Sequence, residues 1–295
     1  MSKPRIGFIG IGLMGSAMCN RLLDKGYALT VLANKSRGNI DPLIERGAGE
    51  AGSARELAHA SDIVMLCVDT SASVESRMYG DEGVIAGLNE GSVAIDFGTS
   101  LPASTLTIGD AVASAGATYL DAPLGRTPQH ANDGLLNIMC SGDKGAYDRV
   151  EPVLKDLGEN VFHLGKLGTG HKIKLINNFC AQAFANAMAE AFALADKADV
   201  DRQKVYDVMS AGPMHCAIMD FIKAYAIDGD PEQMAFSIQN ARKDVGYYAA
   251  MAEDLGLDSI MAKGALDALS QSIEQGFGDS YVPVQVDFFA ERFKG

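Results

Sequence analysis

The sequence has no excess of basic charge, no closely paired cysteines, no metal-spaced histidines and no long apolar run. Its 25 Lys and Arg against 38 Asp and Glu leave a net charge of −13. Nucleic acids and anionic membrane surfaces are recognised by basic faces, so neither is expected as a partner. Five cysteines, Cys19, Cys67, Cys140, Cys180 and Cys216, are scattered without a C-x-x-C pair. That usage predicts reduced, mostly buried thiols and a cytoplasmic protein. The five histidines lack the spacing of metal ligands, and no metal is expected. The first apolar run, at residues 6–9, is short and broken by glycine. It predicts neither a signal peptide nor a membrane span.

What is present is the composition of an ordinary soluble protein, 47% apolar and 21% charged. A chain of 295 residues is long enough for two domains with full cores. Short apolar runs at 5–9, 28–33, 62–68, 93–96, 118–122, 135–140 and 161–164 read as strands with helical stretches between them. Ser53-Ala54-Arg55-Glu56 is a capping-box pattern, Gly26 and Gly116 are helix stops, and Leu101-Pro102 is a helix start. This alternation predicts an α/β domain with a doubly wound, mainly parallel sheet. From residue 169 to 198 proline disappears and alanine accumulates, with Phe184, Met188 and Phe192 at four-residue spacing. Thirty helical residues would span roughly 45 Å. Further helices are expected at 202–210, 241–255 and 259–275. The boundary is placed near Gly165, giving domains 1–164 (α/β) and 165–295 (all helical).

Residues 10–15, Gly-Ile-Gly-Leu-Met-Gly, follow the first strand and open a helix. Gly10 permits the turn, Gly12 lets backbone approach a pyrophosphate, and Gly15 lets helix and strand pack closely. The N-terminus of that helix, expected over 16–25, then faces the phosphates, with Leu13 and Met14 of the turn as further cofactor contacts. Dinucleotide binding follows from this strand–turn–helix setting. The second strand runs into Ala33-Asn34-Lys35-Ser36-Arg37, with no acid before Asp41. An acid there would bind the ribose 2′-hydroxyl of NAD. Asn34, Lys35 and Ser36, with Arg37 beside them, suit the 2′-phosphate of NADP instead. NADP is the preferred expectation and NAD the alternative.

Residues 168–178, Gly-Thr-Gly-His-Lys-Ile-Lys-Leu-Ile-Asn-Asn, place Lys174 and Asn178 one helical turn apart. A helix entered through glycines can lie close to a ligand and present an ammonium and an amide together. With residues 10–15, Asp96-Phe97-Gly98-Thr99, Asp121-Ala122-Pro123-Leu124 and Lys243-Asp244, this segment makes five ordered stretches. Through them the chain resembles the β-hydroxyacid dehydrogenase family nearly end to end. The resemblance implies a Rossmann domain joined by a long helix to an all-α C-terminal domain. It implies Lys174 as the catalytic residue, Asn178 as substrate orienter with Asn177 beside it, and Thr99 near the nicotinamide. It also implies Val68 as a backbone and packing contact, and Lys243 closing over the site. Hydride reaching an aldehyde carbon leaves negative charge on oxygen, which a lysine ammonium stabilises and protonates.

The chain departs from most of that family in one loop. Where most members read Ser-Gly-Gly, this sequence reads Gly125-Arg126-Thr127-Pro128. An arginine fork is a bidentate, permanently charged anion anchor. The Gly-Arg-Thr loop is similar to that of the sulfolactaldehyde reductase branch, whose substrate carries a sulfonate. Arg126 could instead pair only with the protein. The expectation is an NAD(P)-dependent reductase of a short anionic aldehyde, running reversibly as a 3-hydroxyacid dehydrogenase. Succinic, methylmalonic and tartronic semialdehydes and glyoxylate are alternative substrates. A non-catalytic dinucleotide-binding scaffold is the alternative of a different class. The resemblance also implies a homodimer or homotetramer.

Overall fold

The computed structural model describes residues 3–33 and 37–294. The chain divides into two compact units, Met1–Lys174 and Leu175–Gly295. In the first unit the strands are β1 (Ile6–Ile9), β2 (Leu29–Leu32), β3 (Gly49–Ala51), β4 (Ile63–Leu66), β5 (Val93–Asp96), β6 (Thr118–Asp121), β7 (Leu124–Gly125), β8 (Leu136–Gly142) and β9 (Gly158–His163). They form one sheet ordered β3-β2-β1-β4-β5-β6-β8-β7, with β9 on β8. Pairing is parallel from β3 through β6 and becomes antiparallel where β8 joins β6.

The central strands are buried along their whole length, because helices cover both faces of a parallel sheet. Side chains on β4 alternate accordingly: Ile63 and Met65 enter one core with Phe8, Met18 and Leu22. Val64 and Leu66 enter the other with Leu57, Ile108 and Val112. The covering helices are α1 (Leu13–Asp24), α2 (Asp41–Glu45), α3 (Ala54–His59), α4 (Ser71–Met78), α5 (Val84–Gly87), α6 (Pro102–Ser114), α7 (Pro128–Asp133) and α8 (Lys144–Leu157). Ser53 caps α3 by accepting from Glu56 N at 3.2 Å, and Glu56 reaches back to accept from Gly52 N at 2.7 Å. The capping-box reading therefore holds, with the glutamate closing on the residue before the cap. The helix start at Pro102 and the stops at Gly26 and Gly116, both with positive φ, are also as expected. Strands β3 and β7 were not anticipated. At three and two residues they are too short to show periodicity.

The second unit is helical. Helix α9 (Thr169–Lys197) begins at the end of the first unit and supplies the first helix of the second. Its 29 residues are about 43 Å long. It is followed by α10 (Arg202–Ser210), α11 (Ala217–Ala226), α12 (Ile238–Asp254), α13 (Ile260–Ser272) and α14 (Gln285–Arg292). Within this unit Ala185, Met188, Ala189, Phe192 and Ala193 of α9 are buried with Met219, Ile222, Val245 and Phe288. Helix α12 begins three residues before the expected start because Ser237 caps it, accepting from Asn240 N at 3.2 Å. Among the described residues no helix is long and apolar enough to cross a membrane.

Candidate active site

At the end of β1 the turn that opens α1 is shaped by close contact. Gly10 has φ +97°, and a Cβ there would lie 2.3 Å from the Cys67 carbonyl oxygen. A Cβ at Gly15 would lie 1.9 Å from the Gly10 carbonyl oxygen. Gly12 is the opposite case, with nothing within 4 Å of its Cβ position. No side chain caps the start of α1, and Leu13 stands 78% exposed at its first turn, with Met14 half-buried behind it. Free amides beside open space are what a pyrophosphate requires. A cavity of about 390 Å³ adjoins this turn, lined by Gly10, Gly12, Ala33, Asn39, Val68, Asp69 and Arg77 among others. A dinucleotide therefore fits the residues present. Of the expected contacts, Gly10, Gly12 and Val68 line the cavity, while Gly15 lies behind it. Cys67 also lines it, and burial followed by the Asp96 charge pushes its thiol up to about 12. The thiol is therefore protonated at neutral pH.

Asn34, Lys35 and Ser36 lie outside the described residues. Arg37 is described, and its guanidinium is engaged by acids: Nη1 and Nη2 donate to Glu50 at 2.9 and 3.0 Å, and Nε donates to Asp41 at 2.9 Å. Both contacts raise the Arg37 pKa, with Glu50 the larger cause, and Arg37 in turn lowers that of Glu50.

Thr99 follows β5 and is partly exposed between buried Gly98 and buried Ser100. The loop is pinned by Asp96, which accepts from Gly98 N at 2.8 Å and from Ser100 Oγ at 2.7 Å. The segment carrying Lys174 is likewise pinned. Gly168 has φ +86°, and a Cβ at Gly170 would lie 2.2 Å from the Met139 carbonyl oxygen. Lys174 is half-buried, one and a half turns into α9, whereas Lys172 is exposed.

In the second unit Asn178 is buried, and its Nδ2 donates to Asp244 Oδ2 at 2.6 Å. Asn177 Nδ2 donates to Asn178 Oδ1 at 3.2 Å. Lys243 Nζ lies 3.1 Å from Asp244 Oδ1, so charge compensates the oxygen that no hydrogen bond reaches. Buried Asp244 thus holds both an amide and an ammonium. The sequence points to the pair Lys243-Asp244 but implies a role only for its lysine. The aspartate that orients Asn178 is visible only once α9 and α12 pack. Phe179 and Tyr248 stack beside this cluster with ring centroids 4.1 Å apart.

The divergent loop returns to the first unit. Arg126 has φ +78°, and its Nη1 donates to the Leu135 carbonyl and to Glu159 Oε2, each at 2.6 Å. Thr127 Oγ1 lies 2.7 Å from His130 Nδ1. Gly125 sits in β7, where it pairs with Asn137. In this structure, then, the arginine is paired with the protein while remaining 30% exposed at its side chain.

Comparison with known proteins bears on this arrangement. Residues 5–165 match the family described as the NAD binding domain of 6-phosphogluconate dehydrogenase. Residues 168–282 match the NAD-binding region of NADP-dependent 3-hydroxyisobutyrate dehydrogenase. The chain is 34% identical over 256 residues to the probable mitochondrial 3-hydroxyisobutyrate dehydrogenase-like 2 of Arabidopsis thaliana, covering 87% of this chain and 81% of that one. It is 28% identical over 274 residues to glyoxylate/succinic semialdehyde reductase 1 of Arabidopsis thaliana, covering 93% and 94%. The crystal structure of a 3-hydroxyisobutyrate dehydrogenase from Salmonella typhimurium superposes with TM-score 0.84 at 26% identity, covering 97% and 100%.

Proposed function

Because the chain belongs to the 3-hydroxyisobutyrate dehydrogenase-like family of NAD(P)-dependent oxidoreductases, we propose that it reduces a short aldehyde bearing an anionic group. In the reverse direction it oxidises the matching 3-hydroxyacid. The observation that carries this reading is Lys174, half-buried on a glycine-entered helix and one turn from an amide fixed by a buried aspartate. The bound nicotinamide supplies or accepts the hydride. Lys174 donates a proton to the oxygen of the forming alcohol and, in reverse, takes one from the hydroxyl. Asn178 and Asn177 orient the substrate, Thr99 lies near the nicotinamide side of the cofactor, Val68 makes a backbone and packing contact with it, and Lys243 adds a cation over the site.

One relative's name guides the choice of substrate class, since glyoxylate and succinic semialdehyde are short anionic aldehydes. The Gly125-Arg126-Thr127 loop resembles that of the sulfolactaldehyde reductase branch, and on that resemblance sulfolactaldehyde is the first substrate we assign. Succinic, methylmalonic and tartronic semialdehydes and glyoxylate follow. NADP is favoured over NAD because no acid stands between Leu32 and Asp41 in the sequence to meet a ribose 2′-hydroxyl, and Lys35 brings positive charge, whereas Arg37 is held by Glu50 and Asp41. A cytoplasmic homodimer or homotetramer completes the reading, supported by the exposed apolar residues Ile176 and Leu194 on the alanine-rich α9.

The test is loss of nicotinamide absorbance with NADPH and with NADH against that panel of aldehydes. Turnover on an anionic aldehyde is expected, fastest with NADPH, and Lys174→Ala abolishes it while NADPH still binds. NADPH binding without turnover on any member would favour a non-catalytic scaffold. A Lys174→Ala variant that retains turnover would remove the lysine from the mechanism.

A further inference from the structure

The helix that carries Lys174 has no capping side chain of its own. Gly168 and Thr169 stand where an aspartate or serine would normally accept the first amides. Thr169 N donates locally to the Lys166 carbonyl at 3.1 Å, and the amides of Gly168, Gly170 and His171 find acceptors distant in sequence. Asp121, at the end of β6, accepts from Gly168 N at 2.7 Å through Oδ1 and from His171 N at 2.8 Å through Oδ2. Ser141 of β8 accepts from Gly170 N at 2.9 Å and donates its own hydroxyl to Asp121 Oδ1. Three of the first amides therefore end on one buried carboxylate or on the hydroxyl bound to it. Asp121, Ser141 and His171 are fully buried. A carboxylate at a helix N-terminus meets the positive end of the peptide dipoles, which compensates a charge otherwise costly to bury.

The same cluster reaches the cofactor side. His171 Nδ1 lies 2.8 Å from Thr105 Oγ1, and its Nε2 lies 3.6 Å from Asp96 Oδ2. Asp96 is the carboxylate that pins the loop bearing Thr99. The strand ends β5 and β6, which fix one loop and one helix start, thus meet across a single imidazole.

We propose that Asp121, together with Ser141, is a positioning residue that sets the height and rotation of the first turns of α9, and so of Lys174, against the strand ends of the sheet. This rests on the reading of Lys174 as proton donor. Asp121 touches no reacting atom; it acts through the backbone of the helix it caps. Rotating an α-helix by one residue swings a side chain by about 100°, so a loosened first turn misplaces the ammonium without unfolding the domain. Misplacement of about 1 Å is enough to lower turnover a hundredfold.

The experiment compares Asp121→Asn, Ser141→Ala and Ser141→Thr with the unaltered protein in two readouts. The first is amide hydrogen exchange across residues 166–176, which needs no substrate. The second is steady-state reduction of the best aldehyde, together with the NADPH dissociation constant. Asp121→Asn presents an amide NH₂ where one helix amide needs an acceptor. It is expected to speed exchange at 168–172 about tenfold or more. It should lower kcat about 10- to 100-fold, with NADPH affinity within about twofold of the parent. Ser141→Ala gives a smaller change of the same kind, and Ser141→Thr, which keeps the hydroxyl, restores both readouts. Should Asp121→Asn fail to fold, the two Ser141 variants carry the test. Unchanged exchange at the helix start overturns the anchor whatever the activity. Faster exchange with unchanged kcat overturns the link to Lys174. If the unaltered protein turns over no aldehyde, the proton-donor reading fails, and the link to catalysis fails with it. The anchor itself is then decided by exchange.

Discussion

Arg126 holds a backbone conformation that an arginine adopts at a cost of about 1 kcal/mol. Its hydrogen bond to the Leu135 carbonyl offsets part of that cost. The ion pair with Glu159 joins side chains 30% and 53% exposed, and such pairs contribute little. Strain of this kind fits the proposal that the side chain is kept for a ligand. Arg126→Gly should therefore separate stability from recognition. Urea denaturation should show stability unchanged or raised by up to about 1 kcal/mol, because glycine adopts positive φ freely. Under the same conditions KM for the anionic aldehyde should rise about 10- to 100-fold, the equivalent of about 1.5–3 kcal/mol for a lost charged hydrogen bond. A destabilised protein with normal KM would make Arg126 a structural residue. The loop was legible as an anomaly from its composition alone. Its partner Glu159, 33 positions away, was not.

Helix α9 was legible from end to end within a residue, because alanine, absent proline and four-residue spacing all agree over a long window. Helices α11 and α14 were not anticipated, nor were β3 and β7. Short elements gain their definition from neighbours rather than from their own pattern. Two glycines inside helices show how far local reading goes. Gly170 and Gly264 look equally replaceable by a better helix former. The structure separates them, since a Cβ at Gly170 meets a backbone carbonyl at 2.2 Å and one at Gly264 meets nothing within 4 Å. Gly264→Ala in α13 should raise stability by about 0.5–1 kcal/mol. Gly170→Ala should lower it by about 1–3 kcal/mol, since backbone cannot step aside as a side chain can. Chemical denaturation of both variants checks the pair, and a stabilised Gly170→Ala would show that the start of α9 is looser than described.

At the scale of the molecule, binding and stability are linked through the cavity beside β1. A ligand held only by the folded protein stabilises it by about 2.7 kcal/mol at a hundredfold excess over its dissociation constant. NADPH should raise the denaturation midpoint accordingly. Gly12→Val should leave the midpoint of the ligand-free protein nearly unchanged, because its side chain enters open space at an exposed turn. On the proposed reading a pyrophosphate approaches through that space, so the same variant should lose the NADPH-dependent shift. A full shift in Gly12→Val would place the dinucleotide elsewhere.

The sequence by itself determined the alternating strands and helices, the glycine turn for a dinucleotide, the long helix and the spacing of Lys174 to Asn178. These depend on patterns of one to thirty neighbouring residues, and periodicity records them directly. Only the tertiary structure decided what holds those residues in place. Asp121 reaches an amide 47 positions away, and Asp244 reaches Asn178 across 66. A buried carboxylate is satisfied by whichever donors the packed chain brings to it, and no local pattern encodes their arrival.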